Sequence, residues 1–290
     1  MNYPYPQFTT LADKALLVKL TKSQYQPYAF DRQATALVAA ATGVEAGRYN
    51  KRLFVGSKLL EEVNSKFNAA YTEYLKSTVP WLDDGVRMAP NALYFELVER
   101  MRPLLADARA AAAELPKHWD AMVQADLQRL GPLGNPMDYP SKEEIINKFS
   151  ISMQFFPVPS TQDFRIDVSE EDKIEMERAM KNVEANISKH LLKEMLEPVS
   201  RYVSKLAVPI GEKGSIFRDT LVENVTELVD RLPRLNIARD PDVQRMLDDI
   251  KAVVTSYSMT ELRESPITRE AARAKMAQVQ ANLAAFMGAP

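Results

Sequence analysis

The sequence predicts a mainly α protein, an elongated assembly of helices with one small β unit. Three observations carry that expectation. Apolar residues recur at spacings of three and four through several long windows, the mark of one-sided helices. Only ISMQFFPVP (Ile151 to Pro159) and DFRIDV (Asp163 to Val168) read as a convincing pair of strands. The chain has 290 residues and no cysteine, enough length for a core that needs no covalent staple. The missing thiols also exclude disulfides, thiol nucleophiles, iron–sulfur clusters and zinc sites built on thiolates.

Along the chain, residues 1–13 carry Pro4 and Pro6 among aromatics and read as an extended arm. Ala15 to Leu20 (ALLVKL) follows as a short strand, closed by a turn at Pro27. Asp31 stands at an N-cap position before RQATALVAAAT, with Gly43 at the stop, which describes a short helix. From Ser57 to Ser77, the residues Leu60, Val63, Phe67, Tyr71 and Tyr74 line one helical face, so all five are assigned to the core. The stretch from Thr78 to Asn91 breaks the pattern. A third helix is expected from about Asn91 to Leu115, kinked at Pro103, with Leu93, Leu97, Met101, Leu104 and Ala108 in register; Pro116 then starts a separate helix ending at Leu130.

GPLGNPMDYP, from Gly131 to Pro140, is the strongest punctuation in the chain and marks a subdomain boundary. Ser141 with Glu144 is a capping box for a short helix to Phe149. Ser169 and Asp172 cap the longest helix, where Met176, Met180, Val183, Ile187, Leu191, Met195, Val199, Val203 and Leu206 repeat almost as a heptad. Such a stripe needs a partner helix, and Pro198 is placed to bend it. Helices near Phe217 to Leu232, Asp240 to Tyr257 and Ser265 to Met287 complete the chain; Asp240 and Ser265 each precede a proline at the first helical position. This layout predicts a basic, aromatic-rich helical subdomain over residues 1–130, a connector with a short helix and a β-hairpin over 131–168, and a helical subdomain over 169–290.

Enzyme signatures are sparse. His118 and His190 have neither a His-Glu-x-x-His spacing nor a cysteine cluster beside them, so no metal or other cofactor is expected. The acidic pairs Asp83–Asp84 and Asp248–Asp249 and the run Glu170–Glu171–Asp172 read as solvated or dipole-compensating acids. GEKGS at Gly211 to Ser215 lacks the spacing of a phosphate loop, and neither a nucleophile elbow nor a dinucleotide fingerprint is present. The N-terminus has no basic stretch followed by an apolar one, and no window approaches eighteen apolar residues. Both facts predict a cytoplasmic protein without a membrane span.

The charge distribution is more informative. Lys and Arg total 37 against 39 Asp and Glu, so no global field announces a polyanionic partner. Residues 1–76, however, hold ten cations against six acids, with 11 of the 24 aromatic residues. Within GRYNKRLFVGSK, Arg48, Lys51, Arg52 and Lys58 surround Tyr49 and Phe54 between Gly47 and Gly56. A single-stranded nucleic-acid groove needs this composition: cations follow phosphates while aromatic faces stack bases, at about 1–3 kcal/mol per base. Lys22, Tyr25, Tyr28 and Arg32 extend the candidate platform. Solvated surface and loop anchoring are the competing readings of the same residues. The acidic polar face of the long helix, from Asp167 to Glu197, reads either as solvated surface or as a dock for a basic protein.

STVPWLDDGVRMAP (Ser77 to Pro90), the stretch from Asp138 to Val168 and FRDTLVENVTELVDRLPRLNIARDPDV (Phe217 to Val243) resemble an uncharacterised, mainly helical family of tailed-phage proteins. That family's genes often lie beside a MoxR-type AAA+ ATPase and a von Willebrand A-domain protein, which implies an interaction role. Size, acidity and helical build also resemble the single-stranded-DNA-binding RNA polymerase cofactor of lytic podoviruses that package an RNA polymerase in the virion. This second resemblance implies single-stranded DNA and a phage RNA polymerase as partners, in the host bacterial cytoplasm. No site residue is transferred from either. The expected strands are too few for an OB-fold, whose barrel needs five. The resulting expectation is a non-enzymatic single-stranded DNA-binding cofactor for a phage polymerase. The alternative is a helical adaptor for an AAA+ complex that docks through the stripe from Met176 to Leu206. Whether the chain forms a homo-oligomer stays open.

Overall fold

The computed structural model describes residues 11–82, 85–159, 169–212 and 218–288. Several expectations lie outside these residues: the arm at Pro4 and Pro6, Asp83–Asp84, the strand Asp163 to Val168, and Lys213 to Phe217, with the end of GEKGS. The side chain of Met176, first in the predicted stripe, is also outside them.

The fold is mainly α with a small antiparallel sheet. In order, the elements are α1 (Leu11–Lys14), β1 (Ala15–Ser23), β2 (Tyr28–Phe30), α2 (Arg32–Thr42), β3 (Asn50–Arg52), α3 (Lys58–Lys76), β4 (Val79–Pro80) and β5 (Arg87–Pro90). Then come α4 (Tyr94–Leu130), α5 (Lys142–Ile145), β6 (Ser150–Pro157), α6 (Glu170–Leu206), α7 (Asp219–Leu235), α8 (Pro241–Thr255), α9 (Met259–Glu264) and α10 (Pro266–Phe286). One sheet has the order β4-β5-β1-β6, and β2 pairs with β3 as a separate ribbon.

The chain divides into two units built from interleaved segments rather than the three consecutive subdomains the sequence suggests. Unit 1 comprises residues 1–18, 77–94 and 155–290; unit 2 comprises 19–76 and 95–154.

In unit 1, α6 packs against α10, α7 and α8. Val183, Ile187, Leu191, Met195 and Val199 are fully buried at successive spacings of four, on one face of the helix, followed by Tyr202 and Leu206. Their partners include Leu228 and Leu232 of α7, Ile250 of α8, and Met276, Val279 and Leu283 of α10. The helix starts are where local chemistry puts them. Ser169, Asp240 and Ser265 each accept a backbone N–H of the following turn. At the far end of α6, buried Arg269 donates to the carbonyls of Lys205 (2.7 Å) and Leu206 (3.2 Å), capping the helix from a neighbour. Pro198 sits inside a continuous α6.

Unit 2 contains a correction. Residues Tyr94–Leu130 form one helix, with both Pro103 and Pro116 inside it, where the sequence predicts two helices meeting at Pro116. An interior proline costs about 3 kcal/mol. Here the buried stripe Met101, Leu105, Ala108, Ala112, Leu115 and Trp119 runs unbroken through it, and that burial offsets the loss. On α3, Leu60, Val63, Phe67 and Tyr74 are buried as expected. Tyr71 is instead 39% exposed and carries the Lys22 ammonium 4.6 Å above its ring.

Candidate functional site

The basic-aromatic segment folds as a two-stranded ribbon with a helix between its strands. Tyr28 pairs with Arg52, Ala29 with Lys51 and Phe30 with Asn50. Because side chains alternate along a strand, this register separates the residues into two sets. Tyr28, Phe30, Asn50 and Arg52 are exposed, whereas Ala29 is half-buried and Lys51 buried. Between the strands, Asp31 caps α2 by accepting the Ala34 N–H (2.8 Å), and Gly43 ends it at φ 69°. The Asp31 N–H donates to the Tyr49 carbonyl and the Tyr49 N–H to the Thr35 hydroxyl, each at 2.9 Å, tying α2 to the ribbon.

The inward face is a polar lock. The Lys51 ammonium lies 2.6 Å from the Asp138 carboxylate and 3.2 Å from that of Asp31, and donates to the Leu133 carbonyl at 2.6 Å. Burial pushes its pKa down, but the two carboxylates outweigh burial and hold it above the ordinary lysine value. The lock explains GPLGNPMDYP: the segment that sequence reads as a boundary folds back as the receptor of the ribbon's lysine.

A second lock lies one turn of chain further on. Phe54 adopts a left-handed backbone at φ 53°, which costs a side-chain-bearing residue about 1–2 kcal/mol. Its N–H donates to Asp126 (2.8 Å), which also accepts from the Tyr139 hydroxyl (2.8 Å) and Arg129 (2.7 Å). Arg129 reaches on to the Arg52 carbonyl at 2.9 Å. The Phe54 ring packs against Trp119 (4.9 Å between centroids), Tyr139 (5.2 Å) and Tyr25 (6.4 Å). Burial pushes the Asp126 carboxyl up, yet the donations from Arg129, Phe54 and Tyr139 prevail and hold it below the usual carboxylate range. Burial, reinforced by the charges of Asp126 and Asp138, pushes the Tyr25 phenol up to about 12.

The ten residues singled out by sequence therefore part company. Arg32, Arg48, Arg52, Lys58, Tyr28 and Tyr49 lie exposed on the ribbon and its flanks. Lys51 and Phe54 do not: pairing register turns Lys51 inward, and the left-handed turn drives the Phe54 ring into the aromatic cluster. Tyr25 is a half-buried member of that cluster, and Lys22 is held against α3 by Asn68 (3.2 Å) and Tyr71. Phe30 is the residue that sequence reasoning missed. It is 40% exposed on the same face as Tyr28, with the Arg48 guanidinium 4.4 Å over its ring. The signal was present as Tyr-x-Phe at strand spacing. Of the two glycines, Gly56 supplies a turn at φ 77°.

The described residues hold no cluster of three or more metal-ligating side chains, and no described helix is long and apolar enough to cross a membrane. His190 lies 2.9 Å from Glu194, which also pairs with Arg231. No protein-family model, curated protein or solved structure matches the chain.

Proposed function

We propose that the protein is a non-enzymatic, sequence-tolerant single-stranded DNA-binding protein of a phage, serving as a cofactor for transcription or replication by a phage polymerase. One observation supports the binding half: a ribbon locked from behind presents Tyr28, Phe30 and Tyr49 for stacking, beside Arg32, Arg48, Arg52 and Lys58 for phosphates. Because stacking and phosphate contacts ignore base identity, such a surface takes strands of many sequences. Paired bases hide their faces, so a duplex cannot use it equally. The phage source and the polymerase partner rest on the family resemblance. The part of the long stripe from Val183 to Leu206 packs in the core of unit 1, which favours the DNA-binding reading over an adaptor that docks through that stripe.

Fluorescence anisotropy with a labelled single-stranded oligonucleotide and its duplex, at two salt concentrations, tests the reading. Selective binding of the single strand that weakens with salt is expected. Absence of binding at low salt overturns it.

A further inference from the structure

We propose that a single DNA strand bound on the ribbon continues along α3 to a second stacking subsite at Tyr71, where Lys22 meets a further phosphate. The inference deepens the single-stranded DNA reading above and rests on it. In unit 2 the same pair is built twice. Phe30 is 40% exposed with the Arg48 guanidinium 4.4 Å over its ring, and Tyr71 is 39% exposed with the Lys22 ammonium 4.6 Å over its ring. Each pair sets a cation beside an accessible aromatic side chain, the two contacts by which a protein grips successive nucleotides of a single strand.

Chain direction joins the two pairs. Lys22 donates to Asn68 at 3.2 Å and Gln24 to Asn64 at 2.9 Å, so this segment runs antiparallel to α3, from the Tyr71 end towards the first turn of the helix. Tyr28 then stands opposite Arg52 in the ribbon, and Leu53 to Ser57 lead from the ribbon back into α3. Ribbon and Tyr71 thus lie at the two ends of one track, and at about 1.5 Å per residue α3 carries Tyr71 about 20 Å from Lys58. Between them α3 offers a groove of about 570 Å³ lined by Glu61, Asn64, Ser65, Asn68, Ala69 and Thr72. The bonds from Gln24 and Lys22 occupy the carboxamide oxygens of Asn64 and Asn68 and leave both Nδ2 groups free to donate. Amide and hydroxyl donors reach phosphate and sugar oxygens, which carry no sequence information, so the groove is as sequence-tolerant as the ribbon. Among the described residues lining it, Glu61 alone is charged.

Anisotropy of the full chain with labelled oligothymidylates graded from about 4 to about 16 nucleotides tests this. Tyr71→Ala is expected to weaken the longer strands about tenfold and to leave the shorter ones as in the parent, because the ribbon alone holds a short strand. Tyr71→Phe keeps the ring and is expected to restore the parental affinity. Lys22→Ala is expected to flatten the log–log salt slope of the longer strands by about 0.7 and to leave that of the shorter ones. Unchanged circular dichroism certifies the fold of each variant. Tyr28→Ala separates this proposal from the reading beneath it. Binding that weakens at every length in Tyr28→Ala, yet is indifferent to Tyr71→Ala at every length, keeps the ribbon and overturns the second subsite. A loss in Tyr71→Ala that is equal at all lengths, or that Tyr71→Phe shares, overturns it too. A parent protein that binds no length fails the ribbon reading itself, and this proposal with it.

Discussion

The Asp126 carboxylate accepts the backbone N–H of Phe54 at 2.8 Å across 72 positions of sequence. Through this bond the C-terminal end of α4 holds the residue that turns the chain from β3 towards α3. The aromatic face of the ribbon therefore owes its placement to residues that never reach the surface.

Replacing stacking residues should weaken single-strand binding without touching stability. Tyr28→Ala or Tyr49→Ala is expected to cost about 1–3 kcal/mol of binding, by anisotropy, with an unchanged melting curve. With Arg32, Arg48, Arg52 and Lys58 as phosphate contacts, the log–log salt slope is expected near −3, and Arg52→Ala should flatten it by about 0.7. A slope indifferent to Arg52→Ala removes that residue from the interface.

Lys51 should behave as a structural residue. Lys51→Met strands Asp138 and Asp31 without their cation, and a loss of about 3 kcal/mol is expected in urea unfolding, with the m-value preserved. A variant as stable as the parent contradicts the buried lock.

Acid should loosen unit 2 through Asp126. Its folded pKa lies below the unfolded value of about 3.9, so its contribution is complete above that pH and drains away as pH falls through the folded value. Asp31, held low by the Ala34 N–H and by Lys51, adds in the same direction. Melting temperature should therefore drop steeply below about pH 4, and Asp126→Asn should blunt that drop while lowering stability at neutral pH. An identical acid profile for the variant sinks the assignment.

In unit 1, Arg269→Ala removes the donor that caps α6 and leaves two carbonyls to be satisfied anew. A cost of about 3 kcal/mol is expected, visible as early loss of amide protection in the last turn of α6. Uniform protection in the variant would show that the cap is dispensable.

Local chemistry was legible in the sequence where it is local in space. Asp31, Ser141, Ser169, Asp240 and Ser265 cap helices as read, because each side chain needs only a backbone N–H two or three residues away. The α6 stripe was legible for the same reason of short period. The strands β2 to β5 were not: each has two to four residues, too few for alternation to register. Lys51 looked like surface because its partners lie far off in sequence, Leu133 being 82 positions away. Pairing register, which no composition count encodes, decided that Arg52 faces out and Lys51 in.

The interleaving of the two units sets a timetable for synthesis on the ribosome. The chain passes between them at residues 18, 76, 94 and 154, so unit 2 can close once residue 154 has emerged. Leu11, Leu17, Val79, Trp81 and Met88 are made early, yet their core is completed by helices that begin only at Glu170. Those early apolar residues must wait, unsheltered, through much of translation. A nascent chain halted just short of α6 is thus half a protein already folded and half a hydrophobic remnant awaiting its cover.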